Sequence, residues 1–360
     1  MAMGGAEGYC ANVSSRLKER GHHVVIIADE SSVDGISLVR ARALGRGSVF
    51  KNLSFFMESR QAIKRSSSSC VYGLSRIEGA DFLRISDPLH AAWLDLGYKA
   101  SVLQSLWRQI SLRHSLLLWQ ERQAIRTCKH LITNSSLVKE QLVRYYKVSP
   151  EYVSVVYSGV DLQRFNPCSS KQRRQVREGL GIRAGQTVVL FAGADLRRKG
   201  LGCLFKAVAR LGAKVKVLVA GSERTKAFEA ECHKLGIGQQ VGWLGYRMDM
   251  ERVYLAADLF CLPTFYDPFA NVVLEAMACG TPVITTRLNG ASEVVEEVAK
   301  HLVIDRPDPA QLASAIGSFL DMTSSQHEEL RVKVAEYASH FSWDRHLDQL
   351  EDLFGLHCEA

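Results

Sequence analysis

The stretch that most constrains how this chain folds runs from Leu259 to Pro282. Leu259-Phe-Cys-Leu262 is a short apolar run, and Pro263 and Pro268 punctuate the residues after it, so it reads as a buried strand and a turn. From Ala270 to Ala278 the residues suit a helix, which Gly280 and Pro282 end in the order expected of a helix stop. Strand, loop and helix in that order put the helix's free N–H groups beyond the strand's carboxyl end. Such a helix start suits an anion, a phosphate above all. Asp267 precedes the helix and Glu275 lies inside it, so one carboxylate reaches a ligand from the loop and the other from the second turn. A diphosphate flanked by hydroxyl-rich groups fits all three features, and that describes a sugar nucleotide.

The same unit recurs, which predicts an α/β chain of βα repeats. Apolar runs at 187–192, 215–220, 241–245 and 283–286 are each followed by glycine or polar turns, and most by helical stretches. Upstream, 21–28, a short run from 37, 70–73, 81–85, 130–133 and 153–157 continue the strand rhythm, with helices expected to about Arg20 and through 51–65. At 360 residues and 47% hydrophobic the chain can bury two cores. No stretch approaches the length of a membrane-spanning helix, and no apolar leader opens the sequence. Nine cysteines, an odd number without a Cys-x-x-Cys pair or partnering histidines, argue for free thiols in a reducing cytosol and against a zinc site. The net charge of +7 is mild, and no nucleic-acid module accompanies it.

An acidic residue, seven positions and Glu, followed by Ala276-Met-Ala-Cys-Gly-Thr-Pro-Val283, resembles the signature of the family 4 retaining glycosyltransferases. The resemblance implies that Asp267 holds hydroxyls of a donor sugar, that Glu275 holds the nucleotide ribose, and that the amides of Phe269, Ala270 and Asn271 hold the diphosphate. Gly4 and Gly5 resemble the family's glycine loop, which faces the donor phosphates. In a Rossmann-like domain that loop follows a central first strand, and here nothing precedes it, so either the recorded start is late or the first domain lacks that strand. Family members carry Lys-Gly after the first strand of the second domain, with an arginine nearby. Lys199-Gly200 matches, Ala194 occupies the usual arginine position, and Arg197 or Arg198 is expected to compensate.

Asp87-Pro-Leu-His90 ends a predicted strand at its carboxyl side, where Asp87 or His90 can contact donor sugar or acceptor hydroxyl; a plain turn and a helix-surface histidine read equally well. Residues 99–129 read as a basic amphipathic helix, in which Lys99, Arg108, Arg113, Arg122, Arg126 and Lys129 face the lone acid Glu121, with Trp107 and Trp119 between them. Such a helix suits an anionic membrane surface as well as a solvated face. Glu223 and Arg224 are placed to border a nucleotide base, and the Asn289-Gly-Ala291 turn to touch the donor.

The resemblance thus implies the GT-B fold, two Rossmann-like domains facing across a ligand cleft. The domains are expected at 1–166 and 185–340, with a terminal helix in 341–360 crossing back to the first. It further implies metal-independent, retaining transfer of a hexose, with UDP-glucose as co-substrate rather than cofactor. The acceptor is expected to be a glycan or glycolipid, the lipopolysaccharide core glucosyltransferases being closest in appearance, at the cytoplasmic face of the membrane. A glycosidase would use two carboxylates without Lys199 or a phosphate-binding helix. A sugar-nucleotide binder without turnover and an epimerase sharing the fold remain the other readings.

Overall fold

A computed structural model describes residues 5–30, 33–96, 112–221 and 225–358. The chain divides into one unit of Met1–Tyr157 with His346–Ala360, and a second of Ser158–Arg345.

In the first unit, α1 (Gly5–Glu19) leads to β1 (Val25–Ala28), β2 (Ser37–Arg40) and α2 (Ser48–Arg65). Then come β3 (Tyr72–Gly73), β4 (Phe82–Ile85), α3 (His90–Leu96), α4 (Leu112–Thr127), β5 (His130–Thr133), α5 (Ser136–Tyr146) and β6 (Val153–Val155). Its strands form two separate parallel ladders, β1-β2 and β3-β4-β5-β6. In a doubly wound sheet the strand preceding the first helix lies between the second and fourth strands. The ladder here is interrupted at that place, and the described residues supply no strand between β1 and β3. β4 and β5 are the unit's centre, with Phe82, Leu83, Leu131 and Ile132 buried. The terminal helix α14 (Trp343–Cys358) docks through Phe354, whose ring centroid is 4.8 Å from that of Phe82. His346 donates from Nδ1 to the Tyr157 carbonyl at 2.6 Å and accepts the Tyr9 hydroxyl at Nε2 at 2.8 Å. Burial, reinforced by the Arg84 charge, pushes this imidazole down to about 3, so it is a neutral structural link.

The second unit runs α6 (Ser170–Gly179), β7 (Thr187–Gly193), α7 (Leu201–Leu211), β8 (Val215–Gly221), α8 (Lys226–Lys234), β9 (Val241–Gly245), α9 (Met250–Ala256), β10 (Leu259–Leu262) and α10 (Asn271–Ala278). It closes with β11 (Val283–Thr286), α11 (Ser292–Ala299), β12 (Val303–Ile304), α12 (Pro309–Leu320) and α13 (Ser324–Ala338), and α14 from His346 onward belongs to the first unit. The sheet order β9-β8-β7-β10-β11-β12 is the 3-2-1-4-5-6 order of a dinucleotide-type fold, all parallel. Helices cover both faces of such a sheet, which is why Val188–Ala192 is continuously apolar and buried. α10 buries Val273, Leu274, Ala276 and Met277, and the leucine and methionine each stabilise by roughly 1.5–3 kcal/mol. The boundary expected at 166 falls earlier. Val160 pairs with Ser342, its amide bonded to the Phe341 carbonyl at 2.8 Å, and Arg164 reaches Glu251, so residues 158–166 group with the second unit.

Candidate active site

The order of strands decides which loops meet. The sheet of the second unit reverses direction between β7 and β10, and ligands of such sheets bind outside the carboxyl ends of the strands at that point. The loop after β7 carries Arg197, Arg198 and Lys199; the loop after β10 carries Asp267. They converge: Lys199 Nζ donates to Asp267 Oδ2 at 2.5 Å, and Arg198 Nη1 donates to the same oxygen at 2.9 Å and to the Tyr266 carbonyl at 2.8 Å. The Thr264 hydroxyl and the Phe265 amide both donate to the Arg198 carbonyl, at 3.0 and 2.9 Å, which ties the two loops together. Of the arginines expected to compensate for Ala194, Arg198 is the one in the cluster. Arg197 is exposed and its side chain makes no hydrogen bond or ion pair among the described residues, whereas Leu196 beside it turns into the core at 3% exposure.

Asp267 is 6% exposed. Burial alone would raise its carboxyl, but the Lys199 ammonium and the Arg198 guanidinium outweigh that and hold it below the usual carboxylate value. Arg198 Nε also lies 3.6 Å from Asp195 Oδ2, so two cations and two carboxylates meet beside the start of α10. A carboxyl with a folded pKa below its unfolded one stabilises the protein above the ordinary carboxylate range, and that contribution is lost as pH falls through the depressed value. Asp267→Asn is therefore expected to lower the denaturation midpoint at neutral pH, with variant and wild type converging in acid. Parallel curves across the acid limb would remove this linkage.

The start of α10 has no side-chain cap. The Ala270 amide, expected to face a phosphate, is instead taken by Asn289 Oδ1 at 3.1 Å. This corrects the expected donor set and moves the helix start to Asn271. The same oxygen accepts the Ala291 amide at 3.2 Å, and Asn289 Nδ2 donates to Thr285 at 3.0 Å, so the 289–291 turn points inward as a brace. The amides of Asn271 and Val272 have no protein acceptor among the described residues, as is usual for the first turn of a helix. Phe269 is buried at 5%. Glu275 accepts the Tyr254 hydroxyl at 2.8 Å; burial raises its carboxyl, against the lowering effects of that bond and of Arg164.

In the first unit, Asp87 is exposed, and His90 is buried at 8% and committed. Its Nε2 lies 3.0 Å from His114 Nδ1, and burial, with Arg76, His114 and Arg113 nearby, pushes it down to about 4. Glu121, read as the lone acid of a basic helix, is 2% exposed and accepts from the His90 amide at 2.9 Å, from Arg76 Nε at 3.0 Å and from the Tyr146 hydroxyl. Its position four residues before Ile125, on the apolar face of α4, is the signal that marks it as interior. Gly5 begins α1, whereas Gly4, Lys99, Trp107, Arg108, Glu223 and Arg224 lie outside the described residues.

Residues 3–164 match Glycosyltransferase Family 4, and residues 172–341 match Glycosyl transferases group 1. A protein of Corynebacterium kroppenstedtii named D-inositol 3-phosphate glycosyltransferase is 30% identical over 77% of this chain and 69% of its own length. The chain belongs to the family 4 glycosyltransferases. Among solved structures, WaaG, a glycosyltransferase involved in lipopolysaccharide biosynthesis, superposes with a TM-score of 0.81 at 22% identity over 94% of this chain and 93% of that one. Anabaena HepE in complex with UDP-glucose gives a TM-score of 0.76 at 18% identity, covering 98% of this chain and 96% of that one. These likenesses show the GT-B fold.

Proposed function

We propose that this glycosyltransferase moves a hexose from a nucleoside-diphosphate sugar to an acceptor hydroxyl with retention at the anomeric carbon. The observation that carries the reading is the junction of Lys199 and Arg198 with Asp267 at the reversal point of the second sheet, beside the uncapped start of α10. In this reading the glycosidic bond to the diphosphate breaks and negative charge grows on the departing phosphate. Lys199, Arg198 and the amides of Asn271 and Val272 receive that charge, and fixed cations and amides of this kind supply several kcal/mol without reorganising. The departing phosphate oxygen takes the acceptor's proton as the new bond forms on the same face, which retains configuration and needs neither a protein acid nor a metal ion. Asp267 serves sugar hydroxyls while steadying the two cations, and Glu275, held by Tyr254, serves the ribose.

UDP-glucose is the first donor to test, supported by the name of the HepE complex. For the acceptor, the relative named for inositol 3-phosphate favours a phosphorylated polyol over a lipopolysaccharide core. One observation favours a glycolipid instead. With Glu121 buried, the exposed residues of α4 include Arg113, Arg122 and Arg126 beside Leu112 at 83% and Trp119 at 45% exposure, a surface suited to anionic lipid. No helix among the described residues is long and apolar enough to cross a membrane.

Thermal shift against UDP-, GDP- and ADP-sugars, followed by turnover with inositol phosphate and glycan acceptors, tests the reading. UDP-sugars are expected to stabilise most, and transfer to require an acceptor. An equal response to all three would undo the donor assignment. Binding without transfer would favour a non-catalytic binder, and turnover without an acceptor an epimerase.

A further inference from the structure

The second unit carries another concentration of charge at the opposite end of its sheet. Arg173, Arg174 and Arg177 of α6, Arg183 from the turn before β7 and Arg331 of α13 line an open cavity of about 340 Å³. Two of these guanidiniums are spent. Arg173 donates to the Leu255 and Ala257 carbonyls at 3.0 and 3.1 Å and to Asp258 at 2.5 Å. Arg177 donates to the Ala256 carbonyl at 2.7 Å, to Asp258 at 3.0 Å and to the Gln186 carbonyl. Asp258 also accepts the Val188 amide at 2.8 Å and has little left to offer.

The other three are not spent. Arg174 and Arg183 are exposed and have no side-chain partner among the described residues. Arg331, half-buried, has one long bond, to the Ala257 carbonyl at 3.4 Å. Burial and then the neighbouring Arg173 disfavour its charge, and Asp258 and Glu328 offset this only in part. Five guanidiniums therefore face the carboxylates of Glu178, Glu328 and Asp258, and the cavity keeps a positive excess.

We propose that this cavity binds a small phosphorylated ligand, held by forked bonds from Arg331, Arg174 and Arg183, at a site separate from that of the sugar nucleotide. Guanidinium forks match phosphate oxygens in pairs, which a lysine cluster does not. The volume is at the lower end of small-molecule sites, suited to a phosphate ester of sugar size rather than to a polymer. Gln186 and Asp258 precede β7 and β10, whereas Lys199 and Asp267 follow them. The seven residues of β7 span roughly 23 Å at about 3.3 Å each, so one phosphate cannot serve both places.

Isothermal titration and thermal melting of the full chain with inorganic phosphate, against chloride at matched ionic strength, test the proposal. The double variant Arg174→Gln/Arg183→Gln removes exposed, unpartnered side chains and is expected to fold normally. Phosphate is expected to bind and raise the melting midpoint in the wild type and in Lys199→Ala, and to bind at least about tenfold more weakly in the double variant. Arg331→Gln is expected to weaken binding in the same way. No phosphate effect beyond that of chloride overturns the proposal. So does an effect that survives in the double variant but disappears in Lys199→Ala, since phosphate would then be reporting on the site at Asp267.

Discussion

Lys199→Ala is expected to lower kcat for sugar transfer by roughly 10²–10³-fold while leaving the chain folded. The size reflects the task for which the ammonium is placed. It stands with Arg198 on one carboxylate oxygen, at the start of an uncapped helix, in a position where only 12% of its side chain is exposed. A cation so fixed favours the state in which the leaving phosphate carries most charge, so its loss falls on kcat more than on KM. The melting midpoint should fall, because buried Asp267 loses one of its two cations. The chain should stay folded, since Asp267 keeps the Arg198 bond at 2.9 Å and its amide keeps the Leu288 carbonyl at 2.9 Å. Steady-state kinetics with sugar nucleotide and acceptor, alongside a melting curve, give the result. Undiminished transfer by a folded variant would take Lys199 out of the mechanism.

The second sheet was legible in the sequence because its strands are buried on both faces. Val188 to Ala192 and Leu259 to Leu262 leave no room for polar residues, so each reads as an unbroken apolar run. β2 gives a weaker signal, since all four of its residues are exposed and only β1 pairs with it.

What the sequence hid depends on contacts between distant residues. Whether Arg197 or Arg198 faces Asp267 is decided by a turn in which Leu196 is buried, a rotation that spacing alone does not fix. Asn289 captures the Ala270 amide from nineteen residues away, and no local pattern announces it. Tyr254 reaches Glu275 from a different helix, twenty-one residues away in the chain. The family pattern pointed to Lys199, an arginine beside it and Asp267, which the structure brings together, but not to the Asn289 bond at the Ala270 amide.

Gly200→Ala is expected to destabilise the second unit by more than about 3 kcal/mol, since left-handed backbone alone costs a non-glycine residue ~1–3 kcal/mol and a steric collision adds to it. Gly200 has φ +87°, and a Cβ added there would lie 2.0 Å from the Pro263 carbonyl oxygen and 2.8 Å from its carbon. Both obstacles are backbone, so relief requires moving either the start of α7 or the loop leading to Asp267. Either shift separates Lys199 from Asp267, and transfer should fall together with stability. Gly236→Ala separates strain from crowding, because Gly236 has φ +72° and nothing within 4 Å of an added Cβ. That variant is expected to lose only about 1 kcal/mol. Urea unfolding of the two variants beside the wild type decides the matter: equal losses would mean that the loops after β7 and β10 do not approach as closely as the bonds at the Arg198 carbonyl require.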